Sequence, residues 1–174
     1  MRKEILFVGI GGQGLVTSSI LLGEAAMNKG LNSVQAQTYG SASRGGLARG
    51  DTVISDSEIN FPRVLNADIG VFLDQEKYDK YKNMVKEDGL IINDTELVEV
   101  DPNGRKSKGM KFITTAEEIG SKMAANVVVL GSLVDKLDFL TVESVDKILE
   151  NKFSDETLEV NKKAFRRGRD LNRD

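Results

Sequence analysis

The chain has 174 residues, 24 Lys and Arg against 27 Asp and Glu, a net charge of −3, and neither cysteine nor histidine. That length supports one domain over residues 1–174 with a substantial core, and the charge balance argues against a general nucleic-acid or membrane-surface binder. Without thiol or imidazole the chain cannot ligate an iron–sulfur cluster through thiolates, form a disulfide or run Ser-His chemistry, which favours a component of a larger assembly.

Residues 4–8, Glu-Ile-Leu-Phe-Val, read as a buried parallel strand that stops at a glycine cluster. Gly9, Gly11 and Gly14 satisfy G-x-G-x-x-G and lead straight into a helix over residues 15–27. Leu15, Ile20, Leu21, Leu22, Ala25 and Ala26 give that helix a broad apolar face, while Ser18, Ser19 and Gly23 permit close packing on a sheet. Gly30 is a C-terminal stop signal. Residues 33–38 read as a second strand and residues 39–50 as a glycine-rich loop. Short strands are expected over 52–55, 69–73 and 90–93, with a polar helix over 75–86 that Gly89 ends.

Asp101-Pro102-Asn103-Gly104 is a strong turn signal between strands expected over 97–100 and 110–114, with 105–109 as a solvated tip. Thr115 is read as the cap of a short helix ending near Ile119. Residues 124–134 are apolar nearly all round and read as a buried helix. Amphipathic helices follow over 141–149 and 154–167, with Gly168 beyond the second. Alternating strands and helices predict an α/β, Rossmann-like three-layer sandwich, with a largely parallel sheet that has room for an antiparallel edge. Right-handed crossovers place the first helix on one face and the later helices on both. No apolar run approaches a bilayer span and the N-terminus lacks a signal-peptide layout, so a cytoplasmic location is expected.

A dinucleotide site needs an acidic residue at the end of the second strand to bind the ribose hydroxyls. That strand reads Ser33-Val34-Gln35-Ala36-Gln37-Thr38, and no Asp or Glu lies between Glu24 and Asp51. The glycines alone can serve the turn and close packing. Gln13 can cap, pack or reach across an interface. In open α/β sheets the loops after the first two strands share one rim, so Gly11–Gly14 and Tyr39–Gly46 are expected to be neighbours. Arg44, flanked by small residues, suits bidentate recognition of carboxylate or phosphate, or an ion pair within or between chains.

The run Gly9-Ile10-Gly11-Gly12-Gln13-Gly14, the Leu- and Ala-rich helix, Tyr39-Gly40 and Arg44-Gly45-Gly46 together resemble the gamma subunit of 2-oxoacid:ferredoxin oxidoreductases. The likeness continues through residues 51–55, Ile59, Pro62, Ala67-Asp68, Asn126, Leu130-Gly131, Asn161, Ala164-Phe165 and Gly168. The resemblance implies an enzyme of anaerobic metabolism that oxidatively decarboxylates a 2-oxoacid to acyl-CoA and passes electrons to ferredoxin. It implies alpha, beta and ferredoxin-like subunits that carry thiamine diphosphate and iron–sulfur clusters, with no catalytic residue, metal or cofactor held by this chain alone. The isolated chain is expected to be inactive and free to self-associate. Gly11, Gly12, Gln13, Gly14, Tyr39, Arg44, Gly45 and Gly46 are the expected contacts to coenzyme A or to a sister subunit.

Ser41-Ala42-Ser43 departs from relatives that carry a Glu after the Tyr-Gly pair, and removes any ionic contact due to that acid. Arg44-Gly45-Gly46 looks more like the 2-oxoglutarate and branched-chain subtypes than like the pyruvate subtype. The rival readings are a stand-alone nucleotide- or flavin-binding oxidoreductase and a small sensor of an anionic metabolite. Asp68 and Asp74 bracket a strand and are expected to be solvated loop carboxylates. The basic C-terminal end (Lys162, Lys163, Arg166, Arg167, Arg169, Arg173) suits the helix macrodipole, or a docking surface for an acidic subunit or for coenzyme A phosphates.

Overall fold

The computed structural model describes residues 1–41 and 45–173. One six-stranded sheet holds β1 (Arg2–Ile10), β2 (Asn32–Tyr39), β3 (Leu47–Ser55), β4 (Ala67–Phe72), β5 (Val85–Asp94) and β6 (Ser107–Met110) in the order β2-β3-β1-β4-β5-β6. The pairings β1–β4, β4–β5 and β5–β6 are parallel, as the alternation of strands and helices predicts. β3 runs antiparallel to both β1 and β2, so the antiparallel part occupies one end of the sheet, with its reversed strand one place in from the edge. The glycine-rich segment after Tyr39 is therefore shorter than its composition suggests: Leu47 to Gly50 already pair with β1, and a hairpin rather than a long loop joins β2 to β3.

Ile5, Leu6, Phe7 and Val8 are fully buried because both faces of β1 are covered. Ile5 and Phe7 point into the main core beneath α1 (Leu15–Met27), α3 (Phe112–Glu118), α4 (Ala125–Ser132), α5 (Val142–Lys152) and α6 (Asp155–Asp170). Leu6 and Val8 point into a smaller core with Val53, Val64, Phe72 and Tyr78, covered by α2 (Gln75–Tyr81) and by the chain leading into β4. The later helices thus lie on both faces, as expected, but unevenly: α3 to α6 share the face of α1, and α2 stands alone opposite.

Small residues let α1 sit low on the sheet. A Cβ on Gly50 would stand 2.4 Å from Ser19 Oγ, and one on Gly23 would stand 2.8 Å from Ser33 Oγ. The Thr52 hydroxyl donates to the Ser19 carbonyl at 3.0 Å across the same contact.

Several boundaries move. Gly89 lies inside β5, and the helix before it closes at Tyr81 with one turn of 3₁₀ helix, Lys82–Met84. No strand forms over 97–100 among the described residues; β6 instead takes up part of the expected solvated tip. α3 begins at Phe112 rather than behind Thr115, because the Asp94 carboxylate accepts from the Phe112 and Ile113 N–H groups at 2.9 and 3.0 Å. Thr141 caps α5 through a capping box with Ser144, and α6 follows Ser154, as the sequence indicates.

Candidate functional site

The chain turns at the carboxyl ends of β1 and β2, and the two turns meet. The Gly11 N–H donates to the Gly46 carbonyl at 3.0 Å, tying the β1–α1 turn to the β2–β3 hairpin. Gly40 donates to the Leu47 carbonyl at 2.8 Å and closes the hairpin. Gly12 and Gly14 adopt φ of 96° and 73°, values that an L side chain resists. Gly11, Gly12 and Gly45 are exposed, and Tyr39 is 63 % exposed, with its hydroxyl donating to Gln37 Oε1 at 3.2 Å. Arg44, the expected guanidinium of this rim, lies outside the described residues.

Gln13 has a definite task inside the chain. Its Oε1 accepts from the Ile10 N–H at 2.9 Å, and its Nε2 donates to the Leu73 carbonyl at 2.8 Å. Leu73 follows β4, whose helix α2 lies on the face opposite α1. The crevice between β1 and β4 is therefore the switch point of the sheet, where open α/β folds receive nucleotides. Here a carboxamide spans it. Gly9 makes room for that side chain: a Cβ there would stand 2.2 Å from Gln13 Oε1.

The start of α1 remains open chemically. Gly14 contributes no side-chain cap, and the first turn carries no acidic residue. Its N–H groups lack intrahelical partners and face the positive end of the helix dipole. Beneath Gly14 lies Asn126 at the head of α4, with its Cβ 2.8 Å from where a Gly14 Cβ would be. Asn126 is buried, and its carbonyl accepts from the Ser18 hydroxyl at 2.8 Å. Thr17 and Asn126 also line a groove of about 530 Å³ between the α1 and α6 helices, walled by Met123, Phe153 and Val160. Met123 is 87 % exposed.

The bracketing carboxylates stand at opposite ends of β4, and each has a structural role, unlike the solvated pair expected. Asp68 accepts from the Glu4 N–H and pairs with Lys86 at 2.7 Å. Asp74 caps α2 through the Lys77 N–H. The basic C-terminal end is mostly paired within the chain: Lys162 with Glu150, Arg166 with Asp146 and Arg167 with Glu118. The Glu150 carboxylate raises Lys162 above the ordinary lysine value. The described residues hold no cluster of three potential metal ligands.

A charged cluster missed in the sequence lies behind the rim. Asp51 is fully buried, accepting from Arg49 at 2.6 and 2.8 Å and standing 3.7 Å from Arg63. Arg63 also donates to Thr38 Oγ1 at 2.7 Å. The Arg-x-Asp spacing, two residues apart on one strand face, was the available signal. The glycines around Arg49 give that stretch the composition of a loop and hide the strand face.

The sequence profile described as pyruvate ferredoxin/flavodoxin oxidoreductase matches residues 4–171. The 2-oxoglutarate synthase subunit KorC of Methanocaldococcus jannaschii is 39 % identical over 173 residues, covering 97 % of this chain and 92 % of that protein. The corresponding subunit of Archaeoglobus fulgidus is 35 % identical, covering 98 % and 88 %. The gamma subunit of a keto/oxoacid ferredoxin oxidoreductase from Geobacter sulfurreducens superposes with a TM-score of 0.87 at 32 % identity, covering 98 % and 96 %. End-to-end likeness in sequence and backbone means that this chain belongs to the pyruvate ferredoxin/flavodoxin oxidoreductase family, built as its gamma subunits are.

Proposed function

We propose that this chain is the gamma subunit of a thiamine diphosphate-dependent 2-oxoglutarate:ferredoxin oxidoreductase, assembled with alpha, beta and ferredoxin-like subunits. The preference for 2-oxoglutarate rests on the relatives named 2-oxoglutarate synthase subunits, at 39 and 35 % identity over nearly the whole chain. Thiamine diphosphate and the iron–sulfur clusters belong to the sister subunits in this reading. The donor set of this chain does not fit clusters, since it has no cysteine. No helix among the described residues is long and apolar enough to cross a membrane.

The observation that carries the site is the Gly11–Gly46 hydrogen bond, which brings two exposed turns together beside the uncapped start of α1. Coenzyme A fits this rim through its phosphates. The amides of Gly12, Gly14 and the first turn of α1 can approach an anion without obstruction by side chains, and the helix dipole favours the charge. Gly45 and Gly46 supply the other side of the same contact, and Tyr39 flanks it. Gln13 is a positioning residue in this scheme: it fixes the turn from behind and keeps one N–H and one lone pair in reserve. Coenzyme A, where bound, supplies the thiol that accepts the acyl group. The same rim, with Met123 beside it, faces the sister subunit that holds the reacting centre.

The test is reconstitution from the four separately purified subunits. Coenzyme A-dependent reduction of a viologen dye is expected with 2-oxoglutarate, and at least tenfold less with pyruvate or 2-oxoisovalerate. No turnover is expected from this chain alone. Full activity in the mixture lacking this chain would refute the reading.

A further inference from the structure

The two edges of the sheet are protected very differently. β6 is four residues long, Ser107-Lys108-Gly109-Met110, and carries a lysine, the usual device against edge-to-edge pairing. β2 at the other edge is eight residues long, Asn32-Ser-Val-Gln-Ala-Gln-Thr-Tyr39. It contains no charge and no proline. Its pairing with β3 is in unbroken register, without a bulge. Among the described residues no strand covers its outer side. A long, regular, uncharged edge of this kind is a template for another strand.

The register fixes which backbone groups it offers. Gly40 donates to the Leu47 carbonyl, so even-numbered residues of β2 turn their N–H and C=O toward β3. Ser33, Gln35, Gln37 and Tyr39 turn theirs outward. That set is symmetric about Ala36. A second copy laid antiparallel with its two-fold axis at Ala36 sets Gln35 against Gln37 of its mate and Ser33 against Tyr39. Every outward donor then meets an acceptor. The side chains agree with this. Gln35 and Gln37 lie on the α1 face, where Gln37 Nε2 already donates to Gln35 Oε1 at 3.3 Å, and uncharged amides pair as readily with a copy of themselves. Small Ala36 sits at the axis. α1 lies over β2 and β3, so the symmetry brings two α1 helices to roughly 10 Å apart, a normal helix-packing distance.

We propose that this chain forms a two-fold dimer by antiparallel β2–β2 pairing centred on Ala36, which joins two six-stranded sheets into one. The axis is perpendicular to the strands, so the two glycine rims end at opposite edges of the joined sheet. Both stay open to other partners, and dimerisation is independent of the reaction proposed above.

Sedimentation equilibrium of the full chain is expected to give a dimer. Gln37→Pro removes an outward N–H that the monomer does not use and is expected to give a folded monomer, checked by circular dichroism. The chain has no cysteine, so an introduced thiol is unique. Ala36→Cys puts two thiols face to face at a non-hydrogen-bonded pair, where antiparallel Cα atoms stand roughly 4.5 Å apart and a disulfide can close. It is expected to become almost fully disulfide-linked under mild oxidation, whereas Val34→Cys, which faces Thr38 of the mate, is expected to link at least tenfold less. If Gln37→Pro fails to fold, the cysteine pair decides. A monomeric chain, or equal cross-linking of the two cysteine variants, would overturn the proposal. So would an Ala36→Cys link that fails to form when the sister subunits are added before oxidation, which would assign this edge to a foreign strand.

Discussion

The Gln13 carboxamide accepts from one strand end and donates to another, so its removal leaves the Ile10 N–H and the Leu73 carbonyl without partners. Each half-buried group left unsatisfied costs about 1–3 kcal/mol. Gln13→Ala is therefore expected to lower the unfolding free energy by about 2 kcal/mol, measured by urea denaturation. Gln13→Glu keeps the acceptor for Ile10 but sets a carboxylate against the Leu73 carbonyl, and is expected to lose a similar amount at neutral pH and less in acid. Equal stability of all three proteins would remove the bridge from the account. The sequence singled out Gln13 by its polarity inside a glycine turn. It did not reveal the task, because one partner is 60 residues away and becomes adjacent only when β4 docks on β1. Arg49 and Asp51 illustrate the opposite case. Their spacing was legible as two side chains on one strand face, but nearby glycines disguised the strand.

Helices α4 and α6 cross at backbone contact, and two glycines permit it. A Cβ on Gly131 would stand 2.1 Å from the Phe165 carbonyl oxygen, and one on Gly168 would stand 2.0 Å from that of Val128. Backbone cannot swing aside as a side-chain tip can, so the helices must separate. Gly168→Ala is expected to cost about 3 kcal/mol and to lower the melting temperature by roughly 6–12 °C. Gly11→Ala, with open space around its Cβ, serves as the control, expected to shift the melting temperature by no more than about 2 °C. A Gly168→Ala protein that melts with the parent would contradict the crossing. Element identity was mostly legible: apolar runs gave β1 and α4, and amphipathic patterning gave α5 and α6. Boundaries failed where distant groups set them. The sequence pattern places Gly168 beyond the helix, yet it lies inside α6, where α4 needs a glycine opposite. α3 starts early because Asp94, on a neighbouring strand, satisfies its first amides.

At the scale of the whole molecule, the reversed strand β3 decides what the glycine motif can bind. In a dinucleotide-binding sheet the second strand lies directly beside the first, and an acid at its tip reaches the ribose while the glycine turn holds the pyrophosphate. Here β3 separates β1 from β2, so the tip of β2 stands two strand spacings, roughly 9.6 Å, from the turn. On the other side of β1, Gln13 fills the crevice toward β4. The strand-turn-helix pattern was readable in the chain, and so was the missing acid. The intervening strand was not, because pairing partners are set by long-range register rather than by local sequence. Restoring the acid should therefore fail. Tyr39→Glu supplies a carboxylate at the end of β2, yet neither the parent nor this variant is expected to gain more than about 1 °C in melting temperature from millimolar NAD or FAD, a shift corresponding to under about 0.5 kcal/mol of linked binding. Coenzyme A at the same concentration is expected to stabilise the parent measurably and the variant less, since the new charge opposes a phosphate at the same rim. Strong stabilisation of Tyr39→Glu by NAD would mean that the tip of β2 reaches the glycine turn across less than two strand spacings and that the glycine motif is a dinucleotide site after all.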